Sequence, residues 1–129
     1  MVPLPEKAKD LLNKPIIAVV TTVMPSGQPQ STAVWVDYED GYFRVNTARG
    51  RQKDRNMQRN AKVTLFLLDP KDPYHYAEIR GHVSEITEEG ANAHIDKLAQ
   101  KYTGALYKNH DPKLTRVIYK ITPDRIRAQ

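Results

Sequence analysis

Residues 46–63 read NTARGRQKDRNMQRNAKV, and six cationic side chains, Arg49, Arg51, Lys53, Arg55, Arg59 and Lys62, stand against one acid, Asp54. This local excess of five equals the formal net charge of the whole 129-residue chain, so the other segments nearly cancel. Such charge attracts anions. The run directly follows a strand and turns into a helix, where backbone N–H groups and the positive helix end converge with Arg and Lys. Asn46 and Thr47 add neutral hydrogen-bonding groups at the strand end. Arg51 and Lys53 occupy the turn, while Arg55 and Arg59, four apart, share one helical face. These residues can make a compact phosphate pocket with a basic rim of Arg49, Arg55 and Arg59. The alternative for the same charges is an exposed helix face that only keeps the protein soluble.

Other chemistries find little support. The four histidines, His75, His82, His94 and His110, include no pair at metal-ligand spacing, so no metal site is expected. His94 is expected on a helix surface. Ser26, Ser31 and Ser84 lack a nucleophile-elbow context, and the absence of cysteine excludes a thiolate nucleophile or a disulfide. Asp37, Glu39 and Asp40 read as solvated acids at a hairpin tip. A nucleic-acid surface would need a broad basic track with stacking aromatics, but the acids are spread over the rest of the chain. Nucleic acid is therefore not an expected partner.

The elements that must position the basic run follow from local pattern. Residues 5–12 predict a short helix ended by Pro15, and residues 16–23 (IIAVVTTV) a strand covered on both faces. MPSGQPQ is a hairpin turn leading to a mixed strand over 30–36. Glu39-Asp40-Gly41 turns the chain into a strand over 42–46. A mostly exposed helix over 50–60 has Met57 as its main apolar residue. Residues 62–68 (KVTLFLL) form a strand closed by DPKDP, and 74–86 a long strand in which Gly81 marks a bulge or a close backbone approach. Thr87, with Glu88 and Glu89 after it, predicts a helix N-terminus, and that helix runs to about Tyr102 and stops at Gly104. Residues 114–121 make the last strand. Hairpin connections and the lack of a repeating βαβ alternation predict a mainly antiparallel barrel with helices packed outside.

The length fits one domain over residues 1–129, with a 40% hydrophobic content sufficient for a core and a size at which oligomerisation is a natural supplement. MVPLPEKAKDLLNK lacks the apolar stretch of a signal peptide, and no apolar run approaches the roughly 20 residues of a membrane span. A cytoplasmic location is the expectation.

The ordered motifs resemble the pyridoxamine-phosphate-oxidase-like family of split β-barrel flavin and deazaflavin proteins, and within it the F420-dependent oxidoreductases. IIAVVTTVMPSGQPQSTAVWV is similar to the family's opening hairpin, with its Gly-x-Pro-x turn. YFRVNTARGRQKDRNMQRNAKVTLFLLD resembles its strand, Thr, Lys-x-Arg-Asn helix start and closing strand, and YAEIRGHVSEI its long strand with an internal Gly. The resemblance implies a mainly β (α+β) fold, an antiparallel split barrel of about six strands with flanking helices. It implies a homodimer with the cofactor at the subunit interface and hydride transfer from reduced F420 to a small organic acceptor. FMN is the alternative cofactor, and a non-catalytic cofactor carrier the alternative role. By the same resemblance Arg51 and Lys53 grip the cofactor phosphate beside Asn46 and Thr47. Gln30, Ser31, Thr32 and Val34 lie along the ring edge, and Tyr76 and Ala77 reach it from the partner subunit. No catalytic acid or base is required, because the cofactor carries the chemistry. Arg49, Arg55 and Arg59 would attract the polyglutamate tail of F420, which FMN lacks. Pyridoxamine-phosphate oxidases carry an Arg and a His near the end of a longer chain, whereas here RIRAQ follows with no His after His110, which argues against that particular activity.

Overall fold

Two residues, Val34 and Val36, dictate the shape of the sheet. In the computed structural model, which describes residues 2–129, the elements are α1 (Glu6–Leu12), β1 (Ala18–Val23), β2 (Pro29–Val34), β3 (Val36–Glu39), β4 (Tyr42–Ala48), α2 (Gln52–Arg59), β5 (Lys62–Leu68), β6 (Tyr76–Thr87), α3 (Ala91–Thr103) and β7 (Arg116–Ala128). Every strand pair is antiparallel, and the order across the sheet is β2-β1-β5-β6-β7-β4-β3. Val34 therefore ends one edge strand and Val36 opens the other, with Trp35 alone between them. Two residues of extended chain span only about 7 Å, so the edges must meet and the sheet must curl into a barrel.

The strand expected over 30–36 is thus two strands, and the sheet has seven rather than about six. The break has a visible cause. Trp35 turns out of the ladder and stacks on Tyr102 of α3 (ring centroids 5.4 Å apart, planes 14° from parallel). Backbone groups freed at the seam find side-chain partners. The Val36 N–H donates to the Tyr102 hydroxyl (3.2 Å), that hydroxyl donates to the Ile16 carbonyl (2.7 Å), and Lys101 Nζ donates to the Val36 carbonyl (2.8 Å). Helix α3 closes the split.

Alternation along the strands fills the interior. Ala18 and Val20 of β1, Phe43 and Val45 of β4, Val63, Leu65 and Leu67 of β5, Ala77 and Ile79 of β6, and Val117, Tyr119 and Ile121 of β7 are all buried. Leu11 and Leu12 of α1 and Met57 of α2 join the same core. On the outer face α3 packs over β4 and β7, whereas β1 and β5 leave Ile17, Val19 and Leu68 exposed beside the stacked rings of Phe66 and Tyr76. Among the described residues no helix is long and apolar enough to cross a membrane.

Gly81 marks a register shift between β6 and β7, and a Cβ there would stand 2.5 Å from the Thr122 carbonyl oxygen. Only glycine allows the two backbones to lie this close. The helix start expected at Thr87 is corrected. Thr87 is still paired with Ile118 in the sheet, its hydroxyl accepts only the Glu89 N–H, and α3 begins four residues later after Gly90 at φ 77°. The sheet ladder holds Thr87 extended and so competes with the capping geometry. The other end is as expected, with Gly104 at φ 80° terminating α3.

Candidate anion-binding site

The turn from β4 into α2 is built around the one acid of the basic run. Gly50, at φ 92°, reverses the chain, and its N–H donates to Asp54 Oδ2 at 2.9 Å. Asp54 Oδ1 takes the Tyr119 hydroxyl at 2.5 Å and Arg49 Nη1 at 3.2 Å. Burial alone would raise the Asp54 pKa, but the Tyr119 hydroxyl, the Gly50 N–H and Arg49 overcome it and hold the carboxyl below its usual range. Asp54 thus clamps the turn from inside and pairs with Arg49, but not with Arg51 or Lys53.

Arg51, at the N-cap of α2, and Lys53, in its first turn, flank a cleft of ≈ 230 Å³. Arg116 joins them from β7, where it lies opposite Ala48 in the sheet register. The rest of the lining is Ile17, Ala33, Val34, Trp35, Asn46, Ile95, Leu98 and Tyr107. Among the described residues, no carboxylate forms an ion pair with Arg51, Lys53 or Arg116. Burial, and then the charges of Arg51 and Arg116, push the Lys53 ammonium pKa down. Burial lowers that of Arg116 as well, with Arg51 adding to the shift and Tyr107 opposing it. Three converging cations of this kind lack an anion.

Arg116 is also held in place. Its Nε donates to Asn46 Oδ1 at 2.8 Å, and its guanidinium lies 5.6 Å from the centre of the Tyr107 ring. Tyr107 in turn meets Trp35 edge to face at 6.2 Å. The cleft therefore has a cationic end and an aromatic wall.

The expected site residues divide into groups. Val34, Asn46, Arg51 and Lys53 come together on the cleft. Thr47 does not line it; its side chain is fully buried and its hydroxyl finds no partner among the described residues. Gln30, Ser31 and Thr32 lie further along β2. Gln30 accepts from Asn56, Ser31 bonds Thr21 at 2.8 Å, and the Thr32 hydroxyl is buried without a partner. Tyr76 stacks on Phe66 outside the barrel, whereas Ala77 points into the core opposite Leu67. The expected rim is largely engaged elsewhere. Arg49 pairs with Glu88 as well as Asp54, Arg55 donates to the Gly50 carbonyl and Gln52, and Arg59 donates to the Val23 carbonyl and Asn56.

Sequence reasoning missed Arg116, Trp35 and Tyr107, which local pattern does not connect to residues 46–53. The register of β4 against β7 is the signal that would have found Arg116. It also misplaced two groups. His94 is 4% exposed, between Asn46 and Asp37, and not on a helix surface. Asp37 is not a solvated turn acid: it takes both Nε and Nη2 of Arg44 (2.9 and 2.7 Å) and Nε2 of His94. Among the described residues no cluster of three or more His, Asp or Glu is placed to hold a metal ion.

Comparisons with known proteins agree with this geometry. The family model described as pyridoxamine 5'-phosphate oxidase matches residues 4–129. Among solved structures, an F420 reductase is 34% identical, with 97% of this chain and 99% of that one covered and a TM-score of 0.87. A conserved hypothetical protein of Mycobacterium tuberculosis is 26% identical over 99% of this chain and 85% of its own, with a TM-score of 0.78. General Stress Protein 26 of Bacillus anthracis is also 26% identical, over 94% and 89%, with a TM-score of 0.72. No curated protein sequence matches the chain.

Proposed function

Because the chain belongs to the pyridoxamine 5'-phosphate oxidase family, we propose that it is a split-barrel oxidoreductase using reduced F420 to reduce a small organic acceptor. One observation carries this reading. Arg51, Lys53 and Arg116 converge without a carboxylate on a cleft whose remaining lining is mostly apolar and aromatic. A phosphorylated flavin or deazaflavin has this same division, with an anionic end and a flat apolar end. The guanidinium groups offer bidentate contacts to phosphate oxygens and Lys53 a point charge. The bound cofactor supplies hydride chemistry at its ring. The chain's own residues bind the anionic end, orient it against Val34 and Trp35, and keep water from the apolar wall.

The similarity to an F420 reductase supports the deazaflavin. The engaged state of Arg49, Arg55 and Arg59 favours a second reading, FMN, since these side chains then offer less to a polyglutamate tail.

A cleft of ≈ 230 Å³ is smaller than the usual ligand pocket of about 300–1,000 Å³, so the ring must extend beyond it. Ile17 and Ala33 continue the cleft wall onto the exposed apolar face of β1 and β5. A second copy of the chain seated there would complete the site, which makes a homodimer part of the proposal. On that face Tyr76 has a side chain to offer the partner's ligand, and Ala77 has only backbone. A single domain over residues 1–129 in the cytoplasm fits this role.

The test is titration of the purified protein with F420 and with FMN, followed by fluorescence and calorimetry. Saturable binding of one is expected, weakened by about 2–5 kcal/mol when Arg51 and Lys53 are both replaced by Ala. No saturable binding of either would overturn the enzyme reading. Tight binding without reduction of quinones, enones or tetrapyrroles would leave a cofactor carrier instead.

A further inference from the structure

Asn46 lies between the cleft and a buried polar chain that the binding of an anion does not by itself require. Its amide orientation is determined by its neighbours. Arg116 Nε can only donate, so the atom it meets at 2.8 Å is the Asn46 oxygen. The amide nitrogen then donates to the Ala91 carbonyl at 2.9 Å and to His94 Nδ1 at 3.1 Å. An Nδ1 that accepts carries no proton, which places the imidazole hydrogen on Nε2, facing the Asp37 carboxylate at 3.2 Å. Asp37 is itself gripped by two nitrogens of Arg44. Each link has its donor and acceptor assigned by the next, from Arg44 on the outer part of β4 to Arg116 at the cleft.

The consequence falls on Arg116. Its Nε is spent on Asn46, and among the described residues its two terminal nitrogens have no protein partner. Arg44 and Arg49 differ, since one terminal nitrogen of each is taken by a carboxylate. A guanidinium tethered at Nε keeps its outer pair of N–H groups parallel and free, the arrangement that receives two oxygens of one phosphate. We infer that Asp37, His94 and Asn46 act as positioning residues, holding Arg116 with its terminal nitrogens presented to the anion bound in the cleft. This rests on the anion-binding reading above and extends it to Asn46 on the cleft wall and to Asp37 and His94 behind it. Helix α3 takes part, because His94 and the Ala91 carbonyl both belong to its first turns. The buried polar chain is also why His94 sits under the helix, where an apolar residue would otherwise pack.

A double-mutant cycle tests this. His94→Phe keeps the ring volume and removes both nitrogens, and Arg116→Ala removes the positioned group. Affinities for FMN, F420 and inorganic phosphate are measured for the wild type, both single variants and the double variant, with thermal melts to show that each is folded. With Arg116 present, His94→Phe should weaken binding about tenfold, and with Arg116 already Ala it should have almost no further effect. His94→Gln, which retains an acceptor and a donor, should recover part of the loss. In the wild type the ¹⁵N resonances of His94 should show Nδ1 unprotonated and Nε2 protonated. If His94→Phe fails to fold, Asp37→Ala replaces it in the cycle: it removes the carboxylate that faces His94 Nε2 and leaves the cleft lining unchanged. Equal losses in both backgrounds, no loss at all, or a protonated Nδ1 would overturn the inference while leaving the anion site standing. Failure of the wild type to bind any of the three ligands would overturn the site and the inference together.

Discussion

The phenol of Tyr119, on β7, donates to the carboxylate of Asp54, on α2, at 2.5 Å and to the Asp54 carbonyl at 3.0 Å. This bond ties the first turn of the helix to β7, the strand paired with β4. Arg51 and Lys53 lie just before Asp54 in the chain, so the tether holds the turn that carries them. Replacing Tyr119 by Phe leaves a buried carboxylate short of one donor. The expected loss is about 1–3 kcal/mol of stability, read from urea denaturation, together with weaker binding of phosphate-bearing ligands. An unchanged urea midpoint would show that the tether contributes nothing.

The cleft cations also bear on stability. The folded pKa of Lys53 lies below its ordinary value of 10.5, so in the alkaline interval between folded and unfolded values the unfolded chain binds more protons. Stability contributed by this group therefore rises as pH increases through that interval. Lys53→Met should flatten the rise, stabilise the ligand-free protein and weaken anion binding. An anion relieves the same repulsion at neutral pH. A phosphate-bearing ligand at about 100 times its Kd should add about 2.7 kcal/mol, visible as a higher Tm. A Tm indifferent to every such ligand would argue against the site.

Asp37 gives the opposite pH signature. Burial opposes its ionisation, but hydrogen bonds from His94 and Arg44 prevail and hold its pKa at about 2, below the model-compound value of 3.8. A depressed carboxyl stabilises the fold above the unfolded value and loses that contribution as pH falls from about 4 to about 2. The contribution is roughly 2 kcal/mol. Asp37→Asn should remove most of this acid dependence in denaturation midpoints collected across the window. A variant that keeps the full wild-type slope would place the effect elsewhere.

The uncovered face of β1 and β5 predicts assembly. Ile17, Val19 and Leu68 are 48%, 37% and 41% exposed on the same outer surface. Light scattering of the wild type should give the mass of two chains, and Val19→Lys should give one. The same variant should weaken cofactor binding without changing the Arg51 or Lys53 contacts. A monomeric wild type that binds cofactor normally would remove the partner from the site.

Much of the architecture was legible locally. Residues 62–68 read as a strand from composition, and in the fold Val63, Leu65 and Leu67 are its buried side. Gly81 stood out within its strand, and the reason proved to be the Thr122 carbonyl against its α-carbon. The charge of residues 49–59 also pointed to the turn where Arg51 and Lys53 line a cleft, because an excess of cations is a property of composition alone. The break at Trp35 was not legible, since QSTAVWV reads as one strand until Tyr102, 67 residues later, presents its ring.

The sequence by itself therefore determined most of the elements and the cationic excess of one turn, which depend on neighbours within a few residues. Residues 16–23, expected to be covered on both faces, leave Val19 exposed. Tertiary structure alone decided which cations count. Asp54 and Glu88 withdraw Arg49, backbone carbonyls withdraw Arg55 and Arg59, and the β4–β7 register adds Arg116 from 63 residues beyond Lys53. Charge is read one residue at a time, but whether it is neutralised depends on distances of a few ångströms in the folded chain. Those distances are set only when the strands pair and the barrel closes.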